Sequence, residues 1–180
     1  MPARIRLPFD PIVRARDLWR VRWGPRSAPS AMAAATSVMR VQQLLVADFD
    51  ARLAPHGLTF ARFEALVLLA FSREGRLPMS KVGERLMVHP TSATHIVQRL
   101  ATQGLVERVP NPQDGRGTLA CITASGVDVM EAAARDLAGS GFSLDALTAA
   151  ELAQLFALLR KVRLDAGDFV PRKREVPPAE

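Results

Sequence analysis

The feature that most constrains the fold is a change of hydrophobic period at Gly104. Before this residue, apolar side chains recur at spacings of three and four, which is the period of an amphipathic helix. After it, the short segments "LVERV" and "TLACIT" carry strand-forming residues and flank "PNPQDGRG", whose Pro, Asn, Asp and Gly favour a tight turn. The chain is therefore expected to pass from a helix directly into a two-stranded hairpin.

Two short helices are predicted to precede the hairpin. The first is expected to begin with a cap at Ser80 and to bury Val82. "MVHP" then turns the chain into a second helix that starts at Pro90, with His89 in the cap region, and ends at Gly104. The core-facing residues of this second helix are predicted to be Ala93, Ile96, Val97 and Leu100.

Helical patterns account for most of the remaining chain. A basic amphipathic helix is predicted from Asp10 to Trp23, followed by the linker "GPRSAPS" and by a long helix from Ala31 to "APHG". Thr59 is expected to cap the next helix, and Thr123 the one after the hairpin. A T-x-x-E capping box opens the last helix. The predicted fold class is mainly α with a small β-hairpin wing.

Composition narrows the function classes. The 180 residues suit one domain, and a net charge of +6, carried mostly by arginine, favours association with a polyanion. The single cysteine, Cys121, excludes an intrachain disulfide, and no Cys/His spacing indicates a metal, so neither metal nor cofactor is expected. No apolar run approaches the length of a bilayer span, which predicts a soluble protein. The single cysteine fits a reducing compartment, so the expected location is cytoplasmic, and the positive charge favours association with the nucleoid.

Helix, turn, helix and hairpin is the order of a winged helix-turn-helix, whose second helix enters the DNA major groove. By geometry Gln98 suits adenine and Arg99 suits guanine. A solvated helix face is the alternative, but the first turn is rich in Ser and Thr, whereas an ordinary exposed helix favours Glu, Lys and Ala. The predicted contact residues of this helix are Pro90, Thr91, Ser92, Thr94, His95, Gln98 and Arg99.

In the hairpin, Asp114 and Arg116 flank Gly115 at the turn. The carboxylate could hold the guanidinium in a pose suited to a narrow, electronegative minor groove, although a surface ion pair of little energetic value is the alternative. Asn111 and Gln113 are assigned to the same wing contacts. Ser80 is assigned to a DNA backbone contact from the first helix of the pair.

The stretch "HPTSATHIVQRLATQGLVERVPNPQDGRGTLACIT" resembles the recognition helix and wing of the MarR family of bacterial transcriptional regulators, with a D-x-R wing signature at Asp114 and Arg116. "GLTFARFEALVLL" is similar to the helix that these proteins carry just upstream. The resemblance implies a homodimer built from terminal helices that binds double-stranded DNA at a pseudo-palindromic operator. It also implies repression that a small molecule or oxidant relieves. Gly115 and Cys121 depart from the family pattern, which often has basic residues at these positions.

With that resemblance, the fold is expected to be a winged helix-turn-helix flanked by dimerisation helices. The predicted domains are a basic N-terminal extension (1–30), an N-terminal dimerisation helix (31–57), the winged helix-turn-helix (58–123), C-terminal dimerisation helices (124–168) and a disordered tail (169–180). A candidate effector pocket is assigned to Trp19, Trp23, His56 and Phe63; alternatively, the tryptophans only pack the extra helix.

The rival function is a basic interaction module. In that interpretation the N-terminal helix and the "PRKR" segment would bind an acidic membrane surface or a protein partner, with the winged fold as a scaffold. The main interpretation expects no membrane partner. No Ser/His/Asp spacing or Gly-rich phosphate loop indicates an enzyme.

Overall fold

A computed structural model describes residues 7–112 and 114–170, except the side chains of residues 115 and 116. It confirms a mainly helical protein with a small antiparallel sheet. The elements are α1 (Pro11–Trp23), α2 (Pro29–Leu53), α3 (Phe60–Ala70), β1 (Arg76–Pro78), α4 (Met79–Leu86), α5 (Pro90–Thr102), β2 (Val106–Asn111), β3 (Asp114–Ile122), α6 (Ala124–Ala138) and α7 (Ala149–Asp165). The chain divides into two compact units, one ending at Leu137 and one starting at Ala138. The domain boundaries predicted above stay predictions.

The helix α1 lies where the amphipathic pattern predicted it. Asp10 is its N-cap, and Oδ1 accepts hydrogen bonds from the backbone N–H groups of Ile12 at 2.8 Å and Val13 at 3.2 Å. Gly24 ends the helix with a positive φ of 82°, and its N–H bonds Arg20 O. The following helix α2 begins at Pro29, two residues before the predicted start, because proline suits a first helical position.

Two predicted caps are wrong. Thr59 occupies the N-cap position of α3, but its side chain bonds no helical N–H; instead Asp50 Oδ1, at the end of α2, accepts the Phe60 N–H at 2.7 Å. Ser80 lies inside α4, since that helix begins at Met79 and Pro78 holds the cap position. At α3, the cap is therefore supplied by Asp50, which is distant in sequence, and not by Thr59. At α4, Ser80 cannot act as the cap because the helix already begins at Met79.

The core of the first unit joins α2, α3, α4, α5, α6 and the sheet. Ala93, Val97 and Leu100 are buried and Ile96 is half-buried, as the period of three and four predicted for α5. The largest fully buried side chains are Leu53, Leu66, Leu69, Leu100, Leu137, Val82, Val97 and Val106. Burying one such side chain stabilises a fold by about 1.5–3 kcal/mol, so this cluster dominates the stability of the unit.

The sheet has three strands in the order β1, β3, β2, all antiparallel. The hairpin of β2 and β3 confirms the predicted wing, with Val106 opposite Ile122 and an irregularity at Pro110. The strand β1 was not predicted. It spans three residues, including Pro78, which is tolerated on a sheet edge, and it pairs Leu77 with Ala120.

The helix α6 begins at the predicted residue. Thr123 Oγ1 accepts the Gly126 N–H at 3.0 Å and donates to Gly104 O at 2.9 Å, which ties the start of α6 to the end of α5. Of the residues described, no single helix is long and apolar enough to cross a membrane; one pair bent by 71°, Pro25–His56 with Phe60–Ala70, meets the length and composition criteria jointly.

The second unit contains α7, opened by the predicted capping box. Thr148 Oγ1 accepts the Glu151 N–H at 3.3 Å, and Glu151 Oε2 accepts the Thr148 N–H at 2.8 Å. None of the residues of α7 is buried in the described chain. Phe156 and Val162 of its apolar stripe are 64% and 68% exposed. The predicted tail from residue 171 onward lies outside the described residues.

Candidate nucleic-acid interface

A tight turn sets α5 against α4. Met87 ends α4 with a positive φ of 55°, and the Val88 N–H bonds Gly83 O at 3.1 Å. A Cβ placed on Gly83 would lie 3.4 Å from the Cβ of Ala93, so the two helices meet through their smallest side chains. This close packing gives α5 a defined direction relative to the body of the unit.

The N-terminus of α5 is capped by a histidine. His89 Nδ1 accepts the Thr91 N–H at 3.3 Å, as its predicted place in the cap region suggests, and Pro90 occupies the first helical position. Since Nδ1 is the acceptor, a neutral His89 ring carries its proton on Nε2. Pro90 and the first turn are exposed, so the positive end of the helix dipole faces solvent.

The face of α5 opposite the core carries the predicted contact residues. Pro90, Thr91, Ser92, Thr94, His95, Gln98 and Arg99 are all exposed. The Thr94 hydroxyl donates to Pro90 O at 3.0 Å, so its oxygen is left as an acceptor and its methyl as an apolar contact. The helix thus presents donors, acceptors and a methyl group along one ridge, which is the range of groups that reads base edges.

Gln98 of α5 and Gln103, the residue that caps the C-terminal end of α5, have different surroundings. Gln103, at the C-terminal end, has both ends of its amide engaged: Nε2 donates to Gly57 O at 2.9 Å, and Oε1 accepts from Arg62 Nη1 at 3.4 Å. Gln98, in the exposed face, accepts one hydrogen bond through Oε1 from Arg108 Nη1 of strand β2 at 2.9 Å. Sequence reasoning missed Arg108, because a residue in a strand gives no local sign that it reaches a helix ten positions earlier.

The wing hairpin places Asn111 opposite Asp114 at its tip. The Asp114 carboxylate lies over Gly117, where an added Cβ would come within 2.9 Å of Oδ2, so a larger residue would displace it. Gln113 and the side chain of Arg116 lie outside the described residues, and the predicted Asp114–Arg116 contact stays a prediction. Ser80 is exposed in the first turn of α4, where a DNA backbone contact remains sterically open.

The four residues assigned to an effector pocket have different surroundings in the structure, and the pocket stays a prediction. Trp19 and Trp23 stack on each other, with ring centroids 4.4 Å apart, and Trp19 Nε1 donates to Ser27 O, while Trp23 is 60% exposed. Phe63 is buried in the core beside Phe60. His56 is engaged elsewhere, with Nε2 2.7 Å from Oδ2 of Asp136. The two tryptophans thus contact each other, whereas Phe63 and His56 have other partners.

Cys121 lies in the central strand β3, between Arg76 of β1 and Glu107 of β2. Burial raises the pKa of its thiol, which outweighs the lowering effect of Arg76. A thiol held in its protonated form is a poor nucleophile. Within the described ranges, no three His, Cys, Asp or Glu side chains are grouped so as to hold a metal ion.

Comparison with known proteins agrees with this geometry. Residues 56–117 match the model of the MarR family. The chain aligns over 81% of its length with the whole of Sco5413, a MarR family transcriptional regulator from Streptomyces coelicolor, at 57% identity and a TM-score of 0.74. The chain belongs to the MarR family of transcriptional regulators. The family predicted from the recognition helix and wing is therefore confirmed.

Further relatives are similar over shorter stretches of this chain. A cysteine-to-serine variant of MarR from Escherichia coli, complexed with operator DNA, is 30% identical, with a TM-score of 0.65 over 71% of this chain and 91% of that chain. An HTH-type transcriptional regulator of Mycobacterium tuberculosis is 35% identical over 43% of this chain, and the match spans about half of that relative, 53% of its length.

Proposed function

We propose that this MarR-family chain is a DNA-binding transcriptional regulator that acts as a homodimer on a pseudo-palindromic operator. The observation that carries the proposal is the exposed polar ridge of α5, from Pro90 to Arg99, next to the hairpin of β2 and β3. The relative from Escherichia coli was solved in complex with operator DNA, which supports DNA binding by this chain.

In this function α5 enters the major groove. Arg99, exposed on the ridge, has the fork of donors that matches guanine O6 and N7. Ser80 and the N-terminal amides of α5 contact phosphate oxygens, which position the helix without reading sequence. The wing residues Asn111, Gln113, Asp114 and Arg116 approach the neighbouring minor groove, where a narrow electronegative groove attracts arginine. The net charge of +6 favours the encounter with DNA.

The proposed homodimer accounts for apolar surface that a single chain leaves exposed. In α7, Phe156, Leu158 and Val162 are each more than 60% exposed, and in α2 Met39 is 66% exposed. Helices with apolar side chains facing solvent mark interaction surfaces. A twofold dimer would set two α5 helices about 34 Å apart, in successive major grooves, so its operator would be an inverted repeat.

The proposed function includes regulation of DNA binding by a small molecule. A MarR-type repressor would release its operator when a small molecule binds, and it would act in the cytoplasm, where the chromosome lies. Binding alone accounts for this function, so no catalytic step is proposed for the chain.

The test is selection of bound duplexes from a random DNA pool with the purified full chain at two salt concentrations. An inverted repeat that resists added salt better than the unselected pool would support specific dimeric readout. Binding without a consensus, lost as salt rises, would contradict the proposal, because phosphate contacts alone are sequence-independent and strongly salt-dependent. Co-sedimentation with acidic vesicles would then examine the basic interaction module instead.

A further inference from the structure

The contact between Gln98 on the α5 ridge and Arg108 on strand β2 bears on base specificity. Their atoms, Gln98 Oε1 and Arg108 Nη1, are 2.9 Å apart, and both residues are exposed on the side of α5 that faces away from the core. A guanidinium has five donors and no acceptor, so only the carbonyl end of the Gln98 amide can face it. The Gln98 amino group therefore points away from Arg108.

A glutamine that reads adenine needs both ends of its amide at the base edge, since Oε1 must accept from N6 while Nε2 donates to N7. In this structure Oε1 of Gln98 is turned toward the wing strand. A cation beside that oxygen also opposes the approach of an exocyclic amino group, which is itself a donor. The adenine contact expected from the sequence would therefore require Oε1 to accept from the base and from the Arg108 cation at once.

We infer that Arg108 is a positioning residue that commits Gln98 to the role of donor, so that Gln98 selects keto bases, guanine or thymine, over adenine and cytosine. Guanine offers two adjacent acceptors, O6 and N7, and thymine offers O4, whereas adenine offers N7 alone beside its N6 amino donor and cytosine offers only the N4 amino donor. This inference rests on the proposed function, since it concerns a base that α5 contacts in the major groove.

Gln103 supplies an internal control for the argument. It caps the C-terminal end of the same helix and also accepts a hydrogen bond from an arginine, Arg62, but its Nε2 donates to Gly57 O. The Gln103 amino group is therefore held against the backbone at Gly57. Replacing Arg62 removes one positive charge and one arginine–glutamine bond without touching Gln98.

The experiment measures dissociation constants for the selected operator with all four bases placed symmetrically at each half-site position. Gln98→Ala first locates the contacted position, as the one where base preference disappears. There the wild-type protein is expected to bind the keto bases about tenfold more tightly than adenine. Arg108→Met is expected to bring adenine to within about twofold of the keto bases, since the freed carbonyl can then complete a bidentate contact.

Arg108→Lys and Arg62→Met are the control variants. Lysine keeps a donor for Oε1, so it should retain the keto preference, and Arg62→Met should leave the preference at every position unchanged. Equal weakening of all four sites by Arg108→Met would overturn the inference and leave the proposed function standing, because it would make Arg108 a phosphate contact only. Failure of the wild-type protein to prefer any site would overturn both. Circular dichroism establishes folding of each variant, and Arg108→Lys tests the preference independently of Arg108→Met.

Discussion

The carboxylate of Asp50 caps a helix that begins ten residues later, by accepting the Phe60 N–H through Oδ1 at 2.7 Å. The bond is partly buried and joins the end of α2 to the start of α3. The helix α3 shares its core with α4 and α5, and α5 carries the exposed polar ridge. The aromatic rings of Phe49 and Phe60, with centroids 4.8 Å apart, pack beside it. The Asp50 side chain thus ties the end of α2 to the first turn of α3.

Replacing Asp50 with alanine should destabilise the protein by about 1 kcal/mol or somewhat more, since the first turn of α3 loses its acceptor. Thr59→Ala is the matched comparison, because Thr59 holds the cap position but accepts only a side-chain bond from Arg62. Urea denaturation of both variants measures the free energy of unfolding. Equal losses, or a larger loss for Thr59→Ala, would contradict this assignment of the cap.

Replacing either of the two helical glycines, Gly83 and Gly126, with alanine should change the free energy of unfolding by different amounts. A Cβ on Gly126 would lie 2.1 Å from Leu105 O, a backbone atom that cannot move aside, so Gly126→Ala should cost about 1–3 kcal/mol. At Gly83 the nearest atom, the Cβ of Ala93, is 3.4 Å away, and the gain in helix propensity of up to about 1 kcal/mol should offset the crowding. Thermal and urea unfolding of both variants would show the difference, and a stabilising Gly126→Ala would refute the close approach of α6 to Leu105.

The parts of the fold that the sequence predicted are those with local causes. Asp10, Thr123 and Thr148 cap helices through N–H groups two or three residues away. A pattern as short as this is visible in the amino-acid sequence. The hairpin was predicted because its turn residues are adjacent. The features that were not predicted are non-local. The strand β1 has only three residues, and it is a strand because it pairs with β3, with Leu77 opposite Ala120.

The candidate site divides in the same way. Burial of Ala93, Val97 and Leu100 follows from helical period, and with it the exposure of the opposite ridge. The orientation of the Gln98 amide depends on Arg108. Gln98 lies in a helix and Arg108 in the following strand, so neither the helical nor the strand period predicts their contact. The surroundings of the residues assigned to the effector pocket are also non-local: Phe63 joins the core, and His56 pairs with Asp136, 80 positions later. The effector pocket stays a prediction.

The capping box of α7 predicts a pH dependence of stability. Hydrogen bonds from the backbone N–H of Thr148, and secondarily from its hydroxyl, lower the pKa of the Glu151 carboxyl. Because the folded-state pKa is depressed, the stabilisation is present above the unfolded-state pKa and is lost as pH falls through the folded-state value. The difference in urea midpoint between wild-type protein and Glu151→Gln should therefore shrink between about pH 6 and about pH 3.

Glu131→Gln is the control for that titration, since it removes only an exposed partner 4.0 Å from Arg135. Its midpoint should follow the wild-type curve over the same range. A Glu151→Gln difference that stays constant with pH would mean that the carboxylate charge contributes nothing to the cap.

Arg99 should act as a base-reading residue if α5 enters the major groove. Loss of a bidentate contact with guanine costs about 1–3 kcal/mol on the preferred site and much less on sites that lack that guanine. Arg99→Ala should therefore lower affinity for the selected operator and flatten base preference at one position of each half-site. A uniform loss over all operator variants would reassign Arg99 to phosphate contact.

Arg116 should behave differently, because the wing is expected to meet the minor groove and the phosphates that border it. Arg116→Ala removes one charge near the backbone, so affinity should fall by a similar factor on every sequence. The slope of log affinity against log salt concentration should decrease in magnitude by about 0.9, the value expected for one fewer neutralised phosphate. Arg135→Ala, which removes an exposed charge on α6, provides the comparison for a change in net charge alone. If Arg116→Ala and Arg135→Ala gave the same affinity and the same slope as the wild-type protein, the hairpin would have no part in binding, and specificity would have to come from α5 alone.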